Sequence, residues 1–180
     1  MPARASALRV QFIHGLEGSP RGAKAQLFAA HFHALTPAMD TRDFAGCVEL
    51  HRQTLATFAP DVLVGSSFGG AVAVALLQRG LWSGPTLLLA PAALRLGLPP
   101  RLPEQVRVWV VHGIHDAVID IADSRRLVRS GTPGFIRLIE VDDDHGLSRT
   151  VSTGELVAVV RDLVETARQR PGSDAGGPVP

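Results

Sequence analysis

Asp61-Val62-Leu63-Val64-Gly65-Ser66-Ser67-Phe68-Gly69-Gly70-Ala71-Val72-Ala73-Val74-Ala75-Leu76-Leu77 is the stretch on which the fold turns. Asp61 to Gly65 is short and apolar, as a buried strand is, and Phe68 to Arg79 carries apolar residues all round, which predicts a helix buried centrally. Gly80 is placed to terminate it. Between strand and helix lies Gly65-Ser66-Ser67-Phe68-Gly69, of the form Gly-x-Ser-x-Gly. A sharp strand-to-helix turn lifts a serine hydroxyl above the edge of a sheet, and flanking glycines let the helix approach without a Cβ clash. The helix N-terminus adds unpaired N–H groups and a positive dipole end that favour developing negative charge. Ser66 is a rival nucleophile by adjacency, but the spacing to both glycines selects Ser67. The motif alone is common, and a plain Gly/Ser turn also joins strands to helices, so the surrounding pattern has to decide.

Working outward, short runs rich in Val, Ile and Leu alternate with helix-like segments, the signature of a parallel sheet covered on both faces. Leu8 to Ile13 reads as the first strand and Gly22 to Ala34 as a helix. A strand is expected near Pro37 to Asp40, and a helix from Val48 to Phe58. Thr86 to Leu89 and Val106 to Val111 are further buried strands. Ile121 to Ser130 reads as a helix, Phe135 to Val141 as the last strand, and Val151 to Gln169 as one amphipathic helix. The expected architecture is a three-layer α/β/α sandwich with a mainly parallel sheet of about six strands. Ligands in such sheets bind outside the carboxyl ends of the strands.

The chain has 180 residues, 46% of them hydrophobic, enough for one sizeable core. A single domain over 1–170 is expected, and the Pro, Gly and Ser content of 171–180 predicts a disordered tail. With 18 basic and 17 acidic residues interspersed, the net charge is +1. No electrostatic footprint for nucleic acid or an anionic membrane stands out, and a small, uncharged or modestly polar partner fits better. Cys47 is the only cysteine, which excludes an internal disulfide and a Cys-based zinc cluster and suits a reducing compartment. Cytoplasm is the expected location. Met1 to Arg9 holds no apolar run, and no stretch reaches the ~18 apolar residues of a spanning helix, so neither signal peptide nor membrane anchor is expected.

A serine hydroxyl is a weak nucleophile near neutrality and needs a base, with a third group to hold that base in the right tautomer. Asp116, in His112-Gly113-Ile114-His115-Asp116, follows a predicted strand and would stand at the sheet's carboxyl edge. The loop after the preceding strand, Ala90 to Leu94, contains no acid, and Asp120 and Asp123 suit a helix start. His145, in Asp142-Asp143-Asp144-His145-Gly146, follows the last strand, where a loop can bring an imidazole over the serine. The neighbouring aspartates would raise its pKa or rigidify the loop; an incidental histidine in a solvated acidic turn is the plainer alternative. His31, His33 and His51 fall on predicted helices and are expected at the surface. His14 and His112 each precede Gly at a strand end, where an organising hydrogen bond fits better than catalysis. After the first strand, His14-Gly15-Leu16-Glu17-Gly18-Ser19 is a loop able to turn a backbone N–H toward a substrate carbonyl. The amides of Leu16 and Phe68 are the candidate oxyanion donors.

These four segments, in this order, resemble the α/β-hydrolase superfamily, specifically its small bacterial esterases with little or no lid. The similarity runs from Leu8 to Arg168. It implies acyl transfer to Ser67 followed by hydrolysis of a small-molecule ester, with no metal or organic cofactor. The chain is shorter than most members, which implies that leading strands are missing, and Ala90 to Gln105 is the only room for a cap. A shallow, open site favouring short acyl groups or exposed esters is expected. A thioesterase, amidase or acyltransferase would use the same triad, and a non-catalytic binding module could keep the fold. A metal site built from His14, His112, His115, Asp116 and His145 is a weaker reading, because no pair has a compact helical ligand spacing. Natural substrate and oligomeric state stay open.

Overall fold

Successive side chains of a strand point to opposite faces, so a strand that is apolar throughout must be covered on both. The strands β3 (Val62–Ser66), β4 (Thr86–Leu89) and β5 (Val108–Gly113) are buried along their whole length. In the computed structural model, which describes residues 7–169, they form the middle of a six-stranded sheet. The expected disordered tail, 171–180, lies outside the described residues. The remaining strands are β1 (Arg9–Ile13), β2 (His33–Leu35) and β6 (Ile136–Val141), and the order is β2-β1-β3-β4-β5-β6. Every pairing is parallel.

Two cores fill the two faces. Ile13, Leu63, Leu88 and Val110 pack with α2 (Phe44–Phe58), α3 (Phe68–Gln78) and α4 (Ile121–Val128). The alternate residues Val10, Phe12, Val64, Leu87 and Val111 pack with α1 (Ala23–His31) and α6 (Glu155–Arg168). The three-layer sandwich is therefore present as expected, with six strands. The edges are protected: β2 is only three residues long, and β6 exposes Arg137 and Glu140. No described helix is long and apolar enough to cross a membrane.

Three local expectations are corrected. The second strand is His33–Leu35 and not Pro37 to Asp40; it is held to β1 by backbone pairing, with His33 and Leu35 exposed, so no apolar run marks it. The last amphipathic segment is broken into α5 (Ser148–Ser152) and α6, because Gly154 turns left-handed with φ 75° between them. Helix α2 begins at Phe44, four residues earlier than the apolar pattern suggests, because the Asp43 side chain accepts from the Gly46 N–H and caps it. Ala90 to Gln105 forms no helix or strand. Ala93 and Leu102 from this segment pack into the α3 side of the core, and Gln78 holds it by donating to the carbonyls of Pro99 and Arg101.

The chain runs from β1 outward to β2 and then crosses back to β3 on the other side of β1. Connections leaving the carboxyl ends of β1 and β3 therefore part in opposite directions and open a crevice there. Gly15 and Leu16 follow β1, and Ser67 follows β3.

Candidate active site

Ser67 follows β3 and caps α3 with φ 54° and ψ −114°, a backbone conformation that costs a non-glycine residue about 1–3 kcal/mol. Surrounding bonds hold it there. Its N–H donates to the Leu89 carbonyl at 2.9 Å, and its carbonyl accepts from Ala71 and Ala92 at 3.1 and 3.0 Å. Gly69 allows the close approach the turn needs: a Cβ there would stand 2.1 Å from the Ile13 carbonyl oxygen. The first turn of α3 is thereby pressed against the end of β1.

His145 Nε2 lies 3.1 Å from the Ser67 hydroxyl, and its Nδ1 lies 2.7 Å from Asp116 Oδ2. A carboxylate can only accept, so the proton sits on Nδ1 and Nε2 is bare to take the serine's proton. The three side chains named from sequence are thus one hydrogen-bonded chain, contributed by the loops after β3, β5 and β6. The Asp116 carboxyl is fully buried. Burial opposes its ionisation, but the N–H groups of Ile119 and Val118, both at 2.8 Å from Oδ1, together with His145, outweigh that and lower its pKa.

His112, fully buried, supports this acid from behind. Its Nε2 lies 3.1 Å from Asp116 Oδ2 and 3.0 Å from the Ile119 carbonyl, two groups that only accept, so Nε2 is protonated. Its Nδ1 accepts from the Ser124 hydroxyl at 2.7 Å. The expected organising role of His112 is what the geometry shows, although the i, i+4 spacing to Asp116 did not say which groups it would organise.

Within the acidic turn, Asp143 is the anchor. Its buried carboxylate accepts from the Thr150 amide and hydroxyl at 2.8 and 2.7 Å and from the Asp144 amide at 2.9 Å. Desolvation would raise its pKa, but these donors lower it to about 2. Gly113 gives the turn room, since a Cβ there would meet the Asp143 carbonyl oxygen at 2.3 Å. Lys24 of α1 donates to the Gly146 carbonyl and ties down the other side of His145. Leu147, fully buried at φ 53°, plugs the turn into the core. Sequence reading missed Lys24, Thr150 and Leu147 because each comes from an element distant from, or merely adjacent to, the motif.

The Leu16 and Phe68 amides donate to no acceptor among the described residues. A Cβ on Gly15 would lie 3.3 Å from Ser67 Cβ, so the peptide preceding Leu16 borders the nucleophile. The other histidines are dispersed. His115 pairs with Asp142 at 2.8 Å on the surface, and His14 bonds the Gly15 carbonyl. Among the described residues, no three His, Cys, Asp or Glu side chains are grouped to hold a metal ion. His31 and His33 are exposed, His33 on β2 and not on a helix. His51 is fully buried, against expectation, because it shares the inward stripe of α2 with Cys47, Val48 and Leu55.

Solved structures share this arrangement of elements. Alpha/beta hydrolase domain-containing protein 10 from mouse superposes with a TM-score of 0.72 at 16% identity, over 87% of this chain and 89% of that one. The chain has the α/β-hydrolase fold. A monoacylglycerol lipase from Paleococcus ferrophilus matches with a TM-score of 0.65 at 13% identity, over 89% of this chain and 96% of the other. The esterase domain of a Rhodothermus marinus protein matches at 0.63 and 16% identity, over 91% of each chain. No family model and no curated protein matches the sequence.

Proposed function

We propose that this α/β-hydrolase-fold chain is a serine hydrolase that cleaves carboxylic esters of short or exposed acyl groups. The observation that carries the reading is the continuous Ser67–His145–Asp116 hydrogen-bonded chain at the carboxyl edge of the sheet. The Ser67 hydroxyl attacks the acyl carbon while its proton passes to His145 Nε2. The tetrahedral oxyanion is received by the amides of Leu16 and Phe68. His145 then protonates the departing alkoxide, which leaves as the alcohol, and the acyl group stays on Ser67. Water attacks that acyl group with His145 as base, releasing the carboxylic acid and restoring the serine. Asp116 stays ionised throughout and holds the imidazole in its working tautomer.

Apolar surface near the site supports an apolar acyl or alkyl group. Leu16, Leu96, Ile114 and Val118 are each about half exposed or more, on the loops after β1, β4 and β5. No helix of the segment between β4 and β5 covers them, which supports an open site for small-molecule esters. A reducing, cytoplasmic setting and the absence of any cofactor requirement belong to the same proposal. Hydrolysis of p-nitrophenyl esters graded by acyl length, beside matched thioesters and amides, tests it. Turnover of esters in preference to thioesters and amides, lost in Ser67→Ala, is the expected result. Turnover of the thioester or amide alone would move the assignment to a thioesterase or amidase.

A further inference from the structure

Among the described residues, the buried polar atoms with no hydrogen-bond partner include Gln11 Oε1 on β1, His14 Nε2 at the start of the proposed oxyanion loop, and His51 Nε2 on α2. Gln11 and His51 are fully buried and His14 is 5% exposed. A buried polar atom left without a partner destabilises the fold, so native structures seldom keep several together.

Their protonation follows from the partners they do have. His14 Nδ1 lies 2.9 Å from the Gly15 carbonyl, which can only accept, so Nδ1 carries the proton and Nε2 is a bare acceptor. The Gln11 amide nitrogen lies 3.0 Å from His51 Nδ1 and 3.3 Å from the His51 carbonyl. It donates to both, so His51 Nδ1 is bare and His51 Nε2 carries the proton. One unpartnered ring nitrogen is therefore a donor and the other an acceptor. The rings are near enough that charge on His14 disfavours charge on His51.

The Gly15 carbonyl and the Leu16 N–H belong to one planar peptide and point to opposite sides of it. Whatever fixes the carbonyl also aims the amide. His14 holds that carbonyl from one direction and the Gly18 N–H from another, at 3.1 Å.

We propose that His51 is a positioning residue for the oxyanion hole. Its Nε2–H serves the bare Nε2 of His14 through one water, which keeps the ring proton of His14 on Nδ1 and clamps the Gly15–Leu16 peptide with its amide toward the acyl oxygen. Without that donor, His14 is free to take the opposite tautomer, in which a lone pair of Nδ1 faces the lone pairs of the Gly15 carbonyl. The clamp then becomes a repulsion and the peptide turns. Gln11 on β1 orders the pair by fixing which nitrogen of His51 is bare. The inference rests on the hydrolase reading for its kinetic consequence, but its protonation pattern stands independently.

The test pairs two variants with one measurement on the unaltered protein. His51→Leu removes the donor and is expected to lower kcat for p-nitrophenyl acetate about 10- to 100-fold with KM within about twofold, the pattern of lost transition-state stabilisation. His51→Gln places an amide donor near the position of Nε2–H and is expected to restore kcat to within about threefold of the parent. A folded His51→Leu with unchanged kcat, a shift in KM alone, or His51→Gln as impaired as His51→Leu would overturn the proposal. Nitrogen-15 NMR of the unaltered protein reads the tautomers whether or not the variants fold. The proton on His14 Nδ1 and on His51 Nε2 is the expected result, and either opposite tautomer overturns it. A parent protein inert toward esters but with these tautomers would instead count against the hydrolase reading.

Discussion

Asp116 Oδ2 is shared by two imidazoles, with His112 Nε2 at 3.1 Å on its buried side and His145 Nδ1 at 2.7 Å toward the serine. His145 donates to this oxygen, His112 packs against it while donating to the Ile119 carbonyl, and Oδ1 takes two backbone amides. The acid therefore has no freedom to rotate away from His145. Removing the inner ring should be felt at the outer one. His112→Phe leaves the Ser124 hydroxyl and Ile119 carbonyl unpaired, and is expected to lower stability by about 1–3 kcal/mol. It should also lower kcat more than it raises KM. Thermal denaturation and ester kinetics on the same sample check both.

Asp116→Asn keeps the size of the side chain but can place an amide N–H against His145 Nδ1–H, which forces the imidazole toward the opposite tautomer. A loss of about 10^4 in kcat is expected, smaller than the loss in Ser67→Ala, because the nucleophile and the oxyanion donors remain. Steady-state kinetics with an activated ester measures the ratio.

Asp143→Ala strips the acceptor from Thr150 and from the Asp144 amide and loosens the turn that carries His145. A destabilisation of about 1–3 kcal/mol is expected, with reduced kcat. Because donors hold the folded-state pKa of Asp143 at about 2, its carboxylate contributes stability fully above the unfolded value of about 4 and loses it as pH falls through about 2. Urea denaturation of parent and variant across that range should show the two stabilities converging at the acid end.

His51 acts in a different window. Burial first, and His14 second, push its pKa down to about 4 in the folded state, against about 6.5 in the unfolded chain. Between those values the unfolded state binds the extra proton, so the His51 contribution declines as pH falls from about 6.5 to about 4 and levels off below. Denaturant midpoints should fall over that interval, and His51→Gln should flatten the slope.

The strand and helix on either side of Ser67 were legible because they are apolar almost throughout, and their burial leaves no competing pattern. The order Ser67, Asp116, His145 was legible because each residue sits directly after a strand that hydrophobicity alone marks. The edge strand β2 was not, because its three residues are held by pairing with β1 while His33 and Leu35 stay exposed. His51 was misread as a surface residue although its spacing with Val48 and Leu55 puts all three on one helical stripe. A polar residue on such a stripe is buried only when a partner waits across the interface. Here that partner is Gln11, 40 positions away. The support of Asp116 by His112 was half legible: the spacing was visible, but the direction of the ring depends on Ser124 and Ile119.

The most direct test of the central claim is covalent labelling of Ser67 by a fluorophosphonate, followed by intact-protein mass spectrometry and peptide mapping. One adduct per chain, on Ser67, absent in Ser67→Ala and strongly slowed in His145→Ala, is the predicted result. No adduct on the folded parent protein, or an adduct of undiminished yield in Ser67→Ala, would contradict it.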